Sequence, residues 1–327
     1  MNNIVLSRET SRLDFNAIAN RNNWRDLCLD DRTNSDIFFD VQLTPLADLL
    51  NKRTEDALVV GNEKENPFIL TTNGEQAVID LENNHIIAVH GKDYTLIRNE
   101  LAYSMINEAI NKLAYAGTLN TDGMFIKDSV VNKGGKTIRE YIFPEHKFSI
   151  NADDTLMKIT VINSYDGSSQ FSIKVGGFRV VCLNGLVAGN NFQNLTKRHS
   201  GEVNLVDIEN RITTSIASFK TMGEYWEHLI KTPISTAEVD SVLTAFCTRK
   251  GSKPSAAKFN MLDELYRGHS KTTGKNWWSL YNTLTAWSTH YEVQERNIHN
   301  KAEVILRRER EVEDLLHSNV WTPVFKK

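Results

Sequence analysis

The residues of this chain best suited to chemistry are cations set beside glycines and aromatics. Lys133 and Lys136 bracket Gly134 and Gly135 in the run NKGGK, at the expected tip of a hairpin. Ammonium groups and unencumbered backbone amides in such a tip can meet phosphates. Lys174 and Arg179 flank the pair Gly176–Gly177, and Lys197 and Arg198 follow. Gathered on one face, they would form a positive groove whose grip on a polyanion falls steeply with salt. A second group lies further on. Arg249, Lys250 and Lys253 surround Gly251 and Pro254, and Lys271 and Lys275 precede Trp277, Trp278 and Tyr281. Cations interleaved with aromatics suit a single strand, because bases stack on rings for about 1–3 kcal/mol each while the cations follow the backbone. Trp277, Tyr281, Leu284 and Trp287 recur three or four apart and read as the buried stripe of one helix. Trp278 points off that stripe and is the ring expected to stack.

Enzyme chemistry finds less material. The chain lacks GxxxxGK[ST], HExxH and GxSxG. The glycines of KVGGFRVVCLNGLVAGNN do not match GxGxxG, and close backbone approach accounts for them equally well. Three cysteines, Cys28, Cys182 and Cys247, are far apart and form no CxxC pair, so neither zinc nor any other cofactor is expected. Their usage fits a reducing compartment. The acid pairs Asp30/Asp31 and Asp153/Asp154 are the only magnesium candidates for a nuclease, and both read as turn residues. The expectation is a protein that is not an enzyme.

The elements that must position these cations follow from pattern. The stretch from Ile159 to Gly189 alternates β-branched and aromatic residues around the polar turn SYDGSSQ, where Asp-Gly favours a tight hairpin. Strands are expected at Gly123–Val131, Thr137–Phe143, Lys147–Ile150, Leu156–Asn163 and Phe171–Val175, with Phe178–Leu183 extending the ladder. Before them lies a helix that Asn99 can cap and Gly117 can stop, with Leu101, Met105, Ala109 and Leu113 and a second row, Ala102, Ile106 and Ile110, at helical spacing. From about Val203 onward, apolar recurrence at three and four predicts helices near Val203–Lys220, Met222–Ile230, Ser235–Thr248, Ala256–Tyr266, Asn276–Tyr291 and Lys301–His317. Short strands at Phe38–Leu43 and Phe68–Thr71 stand in an irregular front. The last helix mixes Arg307, Arg308 and Arg310 with Glu303, Glu309, Glu311 and Glu313, which reads as a solvated face or a subunit contact. The fold class is α+β: a central antiparallel β-meander with flanking helices, then a mostly helical C-terminal part. Three regions are expected: residues 1–88, irregular and acidic; 89–230, the α+β core; 231–327, helical.

The 327 residues carry a net charge of only −3, which argues against a uniformly basic nucleic-acid binder. The distribution says more. Residues 1–90 hold 8 Lys and Arg against 15 Asp and Glu, whereas residues 127–199 hold 10 against 6 and residues 249–275 hold 7 against 2. An acidic front and two basic islands fit a protein that holds a polyanion on one face. The first residues are polar and no apolar run approaches about 18 residues, so a cytoplasmic protein with no membrane contact is expected.

Two stretches resemble a known family. VHGKDYTLIRN, from Val89 to Asn99, has the pattern in which Tyr94, Leu96, Ile97 and Asn99 lead a strand into a helix. NSYDGSSQFSIKVGGFRVVCLNGLVAG supplies Ser164, Asp166, Gly167, Ser168, Arg179, Cys182 and Asn184. Both are similar to the phage/plasmid-like proteins classed as a domain of unknown function (number nine-three-two), a likeness running from about Val89 to the C-terminal helices. The resemblance implies a setting among replication and recombination functions of phages and plasmids, and no defined mechanism. A helix beside a β-meander is also similar, at the level of fold, to phage single-strand annealing proteins, which work as oligomers without ATP. The expected function is single-stranded DNA binding, with annealing, by a homo-oligomer that works alongside host or phage replication proteins in a bacterial cell. The alternative is a protein-binding module whose acidic front inhibits or redirects a host factor.

Overall fold

The computed structural model describes residues 37–49, 74–83, 85–150, 153–179, 185–186, 195–197, 205–248, 252–293 and 301–323. A three-stranded antiparallel sheet comes first: β1 (Val41–Pro45), β2 (Gln76–Asp80) and β3 (His85–His90) in that order. Helix α1 (Asn99–Tyr115) leads into the main sheet, an antiparallel meander of β4 (Phe125–Val131), β5 (Lys136–Ile150), β6 (Asp153–Ser164), β7 (Phe171–Arg179) and the short β8 (Gly185–Leu186). A further strand, β9 (Leu195–Lys197), also pairs with β7. Helices follow: α2 (Leu205–Lys231), α3 (Thr236–Cys247), α4 (Ala256–Thr273), α5 (Trp277–His290) and α6 (Lys301–Leu316). The α+β order read from the sequence is the order observed.

Strand alternation divides the main sheet into two unlike faces. The inner face carries Ile126, Tyr141, Phe143, Met157, Ile159, Val161, Phe171, Ile173 and Val175, all in one buried cluster with Ala102, Ile106 and Ile110 of α1 and Ile208, Ile212 and Trp226 of α2. The second helical row of α1 packs in full, and of the first row Ala109 is buried, Met105 and Leu113 pack against the cluster in part, and Leu101 is 57% exposed. The cluster continues through Val242, Leu243, Leu262, Leu280 and Leu284 to Trp321, so one core serves both the sheet and the C-terminal helices.

Local chemistry accounts for the boundaries. The two strands expected at 137–143 and 147–150 are one strand, β5, whose register slips between Phe143 and Lys147. Pro144 stands there, and a proline cannot donate to a ladder, so a bulge absorbs it. The helices expected at 203–220 and 222–230 are likewise one, α2, because nothing in SFKTMGEYW breaks the hydrogen-bond pattern. Helix α3 starts at a capping box: Ser235 Oγ accepts from Glu238 N, and the Glu238 carboxylate accepts from Ser235 N at 2.7 Å. Asn99 does not cap α1, since Arg98 stands at the cap position and makes no side-chain cap bond.

Candidate nucleic-acid interface

The outer face of the main sheet gathers cations. Alternation sets Lys127 on β4, Lys136 on β5, Lys158 on β6 and Lys174 on β7 toward the same side. Lys127 pairs with Glu140, Glu140 with Thr160 and Thr160 with Lys174, so these four residues cross the sheet in one row. Two of these lysines, Lys136 and Lys174, were among the expected phosphate contacts. Lys158 was legible as well: in LMKITVINS, Lys158 and Thr160 alternate with Met157, Ile159 and Val161.

Helix α6 covers this face. Its Ala302 and Leu306 pack with Val131, Ile138 and Ile162. Its carboxylates meet the lysines: Glu303 lies 2.6 Å from Lys136 Nζ, Glu309 lies 3.8 Å from Lys158, and Glu313 lies 3.8 Å from Lys174. Glu140 adds contacts at 2.8 Å to Lys158 and 3.4 Å to Lys127. Burial alone would raise the Glu140 carboxyl, but Lys158 and Lys127 outweigh it and hold the group at about 2. Burial likewise opposes charge on Lys158, and Glu140 and Glu309 overcome it, so its ammonium is held well above the ordinary lysine range. Four lysines thus meet four glutamates in a partly buried, electrically balanced layer in which Lys136 and Lys158 are buried. The solvated face expected for the last helix is, along this stripe, a docking face. Its local charge alternation could not reveal lysines on distant strands.

The other expected contacts fall into separate places. Lys133 stands at the β4–β5 tip, exposed, with a left-handed φ of 53° between Asn132 at the same angle and Gly134 at 90°. Positive φ in two non-glycine residues is strained backbone held by its surroundings. Here Asn132 Nδ2 donates to Asp166 Oδ2 at 2.9 Å, and Phe39 packs under Gly134. Lys253 is exposed between α3 and α4. Arg179 and Lys197 lie in β7 and β9. Arg198, Arg249 and Lys250 lie outside the described residues, as do the strand expected at 68–71 and Asp30, Asp31, Cys28, Cys182 and Asn184.

Two expected contacts are corrected by what surrounds them. Lys136 is 1% exposed and is committed to Glu303, so a phosphate cannot reach it while α6 is in place. Trp278 is 2% exposed. Its ring stacks on Tyr281, centroids 5.5 Å apart and 16° between planes, and lies 6.3 Å from Trp226. The reason is that α5 has almost no solvent face: it lies against α2, α4 and α6, and Ser279, Asn282, Thr283 and Thr285 are buried too. These polar residues pass as surface in the sequence. They are satisfied by carbonyls of their own helix, as in Asn282 Nδ2 to Trp278 O at 2.8 Å and Thr283 Oγ1 to Ser279 O at 2.8 Å. Asp154, a magnesium candidate, accepts from Ser149 at 2.5 Å and pairs with Lys147 at 2.9 Å. Among the described residues no group of three or more His, Cys, Asp or Glu is arranged to hold a metal ion.

The α3–α4 corner is a different kind of surface. A cleft of about 700 Å³ opens there, lined by Thr248, Ser252, Lys253, Ser255 and Lys258 on one side and by Glu311 and Asp314 of α6 on the other. Ser255 N donates to Cys247 O at 2.9 Å and closes the corner, and Ser255 Oγ caps α4 by accepting from Lys258 N. Lys258 pins the wall: its Nζ lies 3.9 Å from the Phe246 ring centre, 4.1 Å from that of Trp287 and 3.4 Å from Glu311. Lys253 makes no ion pair with another described residue. Arg249, Lys250 and Gly251 are the residues joining Thr248 to Ser252.

Motif residues Ile97 and Asn99 join a buried network, and Ser164, Asp166 and Ser168 form a partly exposed turn beside it. Asn99 Nδ2 donates to Ile37 O at 2.7 Å, and Asn99 N donates to the Tyr165 hydroxyl at 2.8 Å. Asn99 Oδ1 accepts from Thr137 at 3.0 Å and from Asn163 at 2.8 Å, and Asn163 also donates to Ile97 O. Asp166 Oδ1 accepts from Ser164 Oγ at 2.7 Å and Ser168 N at 2.9 Å, and Gly167 takes φ +71°. This Asx turn replaces the two-residue turn that Asp-Gly suggests. These bonds are architectural: they tie α1, β5 and β6 together, and no reacting group is exposed by them.

Residues 87–319 match the family described as Domain of unknown function (DUF932). Two Escherichia coli (strain K12) proteins, "UPF0380 protein YfjQ" and "UPF0380 protein YafZ", are each 44% identical over 46 residues, 14% of this chain. The matched part spans 17% of the length of either relative. No solved structure matches the chain. Among the described residues no helix is long and apolar enough to cross a membrane. With the match covering the α1 helix, the meander and the helices through α6, the chain belongs to the DUF932 family, a domain of unknown function.

Proposed function

We propose that this protein binds single-stranded DNA without ATP, as an assembly of several copies, in phage or plasmid replication or recombination within the bacterial cytoplasm. The observation that carries the reading is the α3–α4 corner. There a cleft of about 700 Å³ is lined by hydroxyls, the amino end of α4 and Lys253. The sequence from Arg249 to Lys253 holds three cations, Arg249, Lys250 and Lys253, within five residues, and Lys253 lines the cleft. Helix amino ends and lysines favour phosphate oxygens, and Ser and Thr hydroxyls can donate to them. Glu311 and Asp314 on the opposite wall would repel a strand that entered deeply, so the phosphates pass along the Lys253 rim. Lys133 at the sheet tip is a further exposed cation. Annealing is the activity such binding would serve.

The test is fluorescence anisotropy of a labelled oligothymidylate at two salt concentrations. Binding should weaken steeply with salt. The variant R249A/K250A/K253A should bind less tightly, and its slope of log affinity against log salt should fall by about 2, since each lost phosphate contact on a single strand removes about 0.7. Salt-insensitive binding, or none, removes the proposal.

A further inference from the structure

Without α6, the outer sheet face holds Lys127, Lys136, Lys158 and Lys174 against Glu140, a net of three positive charges. Helix α6 brings Glu303, Glu309 and Glu313 to it, three negative ones. We infer that α6 is an intramolecular substitute for a polyanion: its carboxylate row occupies a cationic sheet face that single-stranded nucleic acid competes for. The inference rests on the binding reading above and adds a second contact surface together with its control.

Three features support it. First, the carboxylates form a line. At 1.5 Å per residue, Glu303 to Glu313 spans about 15 Å, the run of roughly four stacked nucleotides at 3.4 Å each. Second, the pairs differ in closeness. Lys136–Glu303 is hydrogen-bonded at 2.6 Å, but Glu309 and Glu313 each stand 3.8 Å from their lysines, beyond hydrogen-bond reach. Those two hold α6 more loosely than Lys136–Glu303, and removing them weakens its grip on the sheet without touching the close pair that a strand must displace. Third, the apolar hold of α6 on the sheet is narrow. Among the described residues, Ala302 and Leu306 join Val131, Ile138 and Ile162, whereas Val312, Leu315 and Leu316 belong to the main core. Arg308 adds to the anchor by donating to Tyr291 O and Glu292 O, so α6 is held from Arg308 onward, and its first two turns, through Arg307, are the part that can lift.

Hydrogen exchange on the full chain, with and without an oligothymidylate, reads this directly. Amides of Lys301–Arg307 should lose protection at least tenfold when the oligonucleotide binds. Unchanged or increased protection in a chain that does bind overturns the inference and leaves the corner reading standing. The variant E309Q/E313Q removes the two looser pairs and keeps Lys136–Glu303. It should bind at least tenfold more tightly than the native chain, and adding K127A/K174A should abolish the gain. Equal affinity of E309Q/E313Q and native protein also overturns the inference. If the native chain does not bind but E309Q/E313Q does, the covered face stands and the corner reading fails. Binding by neither form sinks both.

Discussion

Lys136 Nζ lies 2.6 Å from Glu303 Oε2, joining strand β5 to helix α6 across 167 residues of chain. The lysine is 1% exposed and the glutamate 28%, so the cation is on the inside and the carboxylate at the edge. That asymmetry decides what each residue is worth. A buried charge that loses its partner keeps its full desolvation cost, whereas replacing both partners with apolar groups removes the cost altogether.

Glu303→Ala should therefore destabilise the protein by about 3–5 kcal/mol, the range for breaking a buried pair from one side. The double variant Lys136→Met with Glu303→Ala should recover most of that loss, because the neighbours Val131, Ile138 and Leu306 are already apolar. Urea midpoints of the native protein, both single variants and the double give the coupling energy. A double variant no more stable than Glu303→Ala would mean that the pair is not buried as described.

Glu140 makes stability depend on pH. Its carboxyl is lowered from 4.5 to about 2 by Lys158 and Lys127, against the upward push of burial. A group whose folded value is depressed stabilises the fold above its unfolded value and loses that contribution as pH falls toward the folded one. The expected result is a steep loss of stability between about pH 4.5 and 2. Glu140→Gln should be less stable at pH 7 and should show a shallower slope through that window. Thermal unfolding in a pH series measures both.

These two residues also mark how far the sequence could be read. Strand alternation and turn chemistry are local, so β4 to β7 and the run of helices were legible, and Lys158 could be assigned to the polar face. What covers that face was not legible. The stripe Ala302, Leu306, Glu309 and Glu313 has two apolar and two acidic members, and only the strands opposite make the acids interior. Asn99 shows the same limit from the other side. Its type and position suit a helix cap, but its partners Ile37, Thr137 and Asn163 are tertiary. For Trp278, periodicity identified the stripe correctly and failed to show that α5 is enclosed on every side.

Trp278 separates packing from binding. Its ring fills the space between Trp226 and Tyr281, so Trp278→Ala should cost about 3–5 kcal/mol, as for large aromatic truncations in cores. Trp278→Phe keeps much of that volume and should stay folded. Oligothymidylate affinity of the folded Trp278→Phe protein should equal that of the native chain. A drop of fivefold or more, with unfolding midpoints matched, would restore this ring as a stacking platform.

Gly135 tests how tightly the sheet tip is built around Lys133. Its backbone, at φ −62° and ψ −27°, is open to any residue, so conformational freedom is not what selects glycine here. Space is. A Cβ on Gly135 would stand 2.6 Å from Asp166 Oδ2 and 2.9 Å from Asp166 Cβ. Asp166 cannot easily retreat, because Ser164 Oγ, Ser168 N and Asn132 Nδ2 all donate to its carboxylate. Moving it would also release the bond that steadies Asn132 beside Lys133 in the left-handed region. Gly135→Ala should thus cost about 1–3 kcal/mol, the range for overpacking. In an Asp166→Gly background the same substitution should cost less, since the clashing atoms are gone. Chemical denaturation of the four proteins gives the comparison, and equal costs in both backgrounds would show that Asp166 is not what excludes a side chain at Gly135.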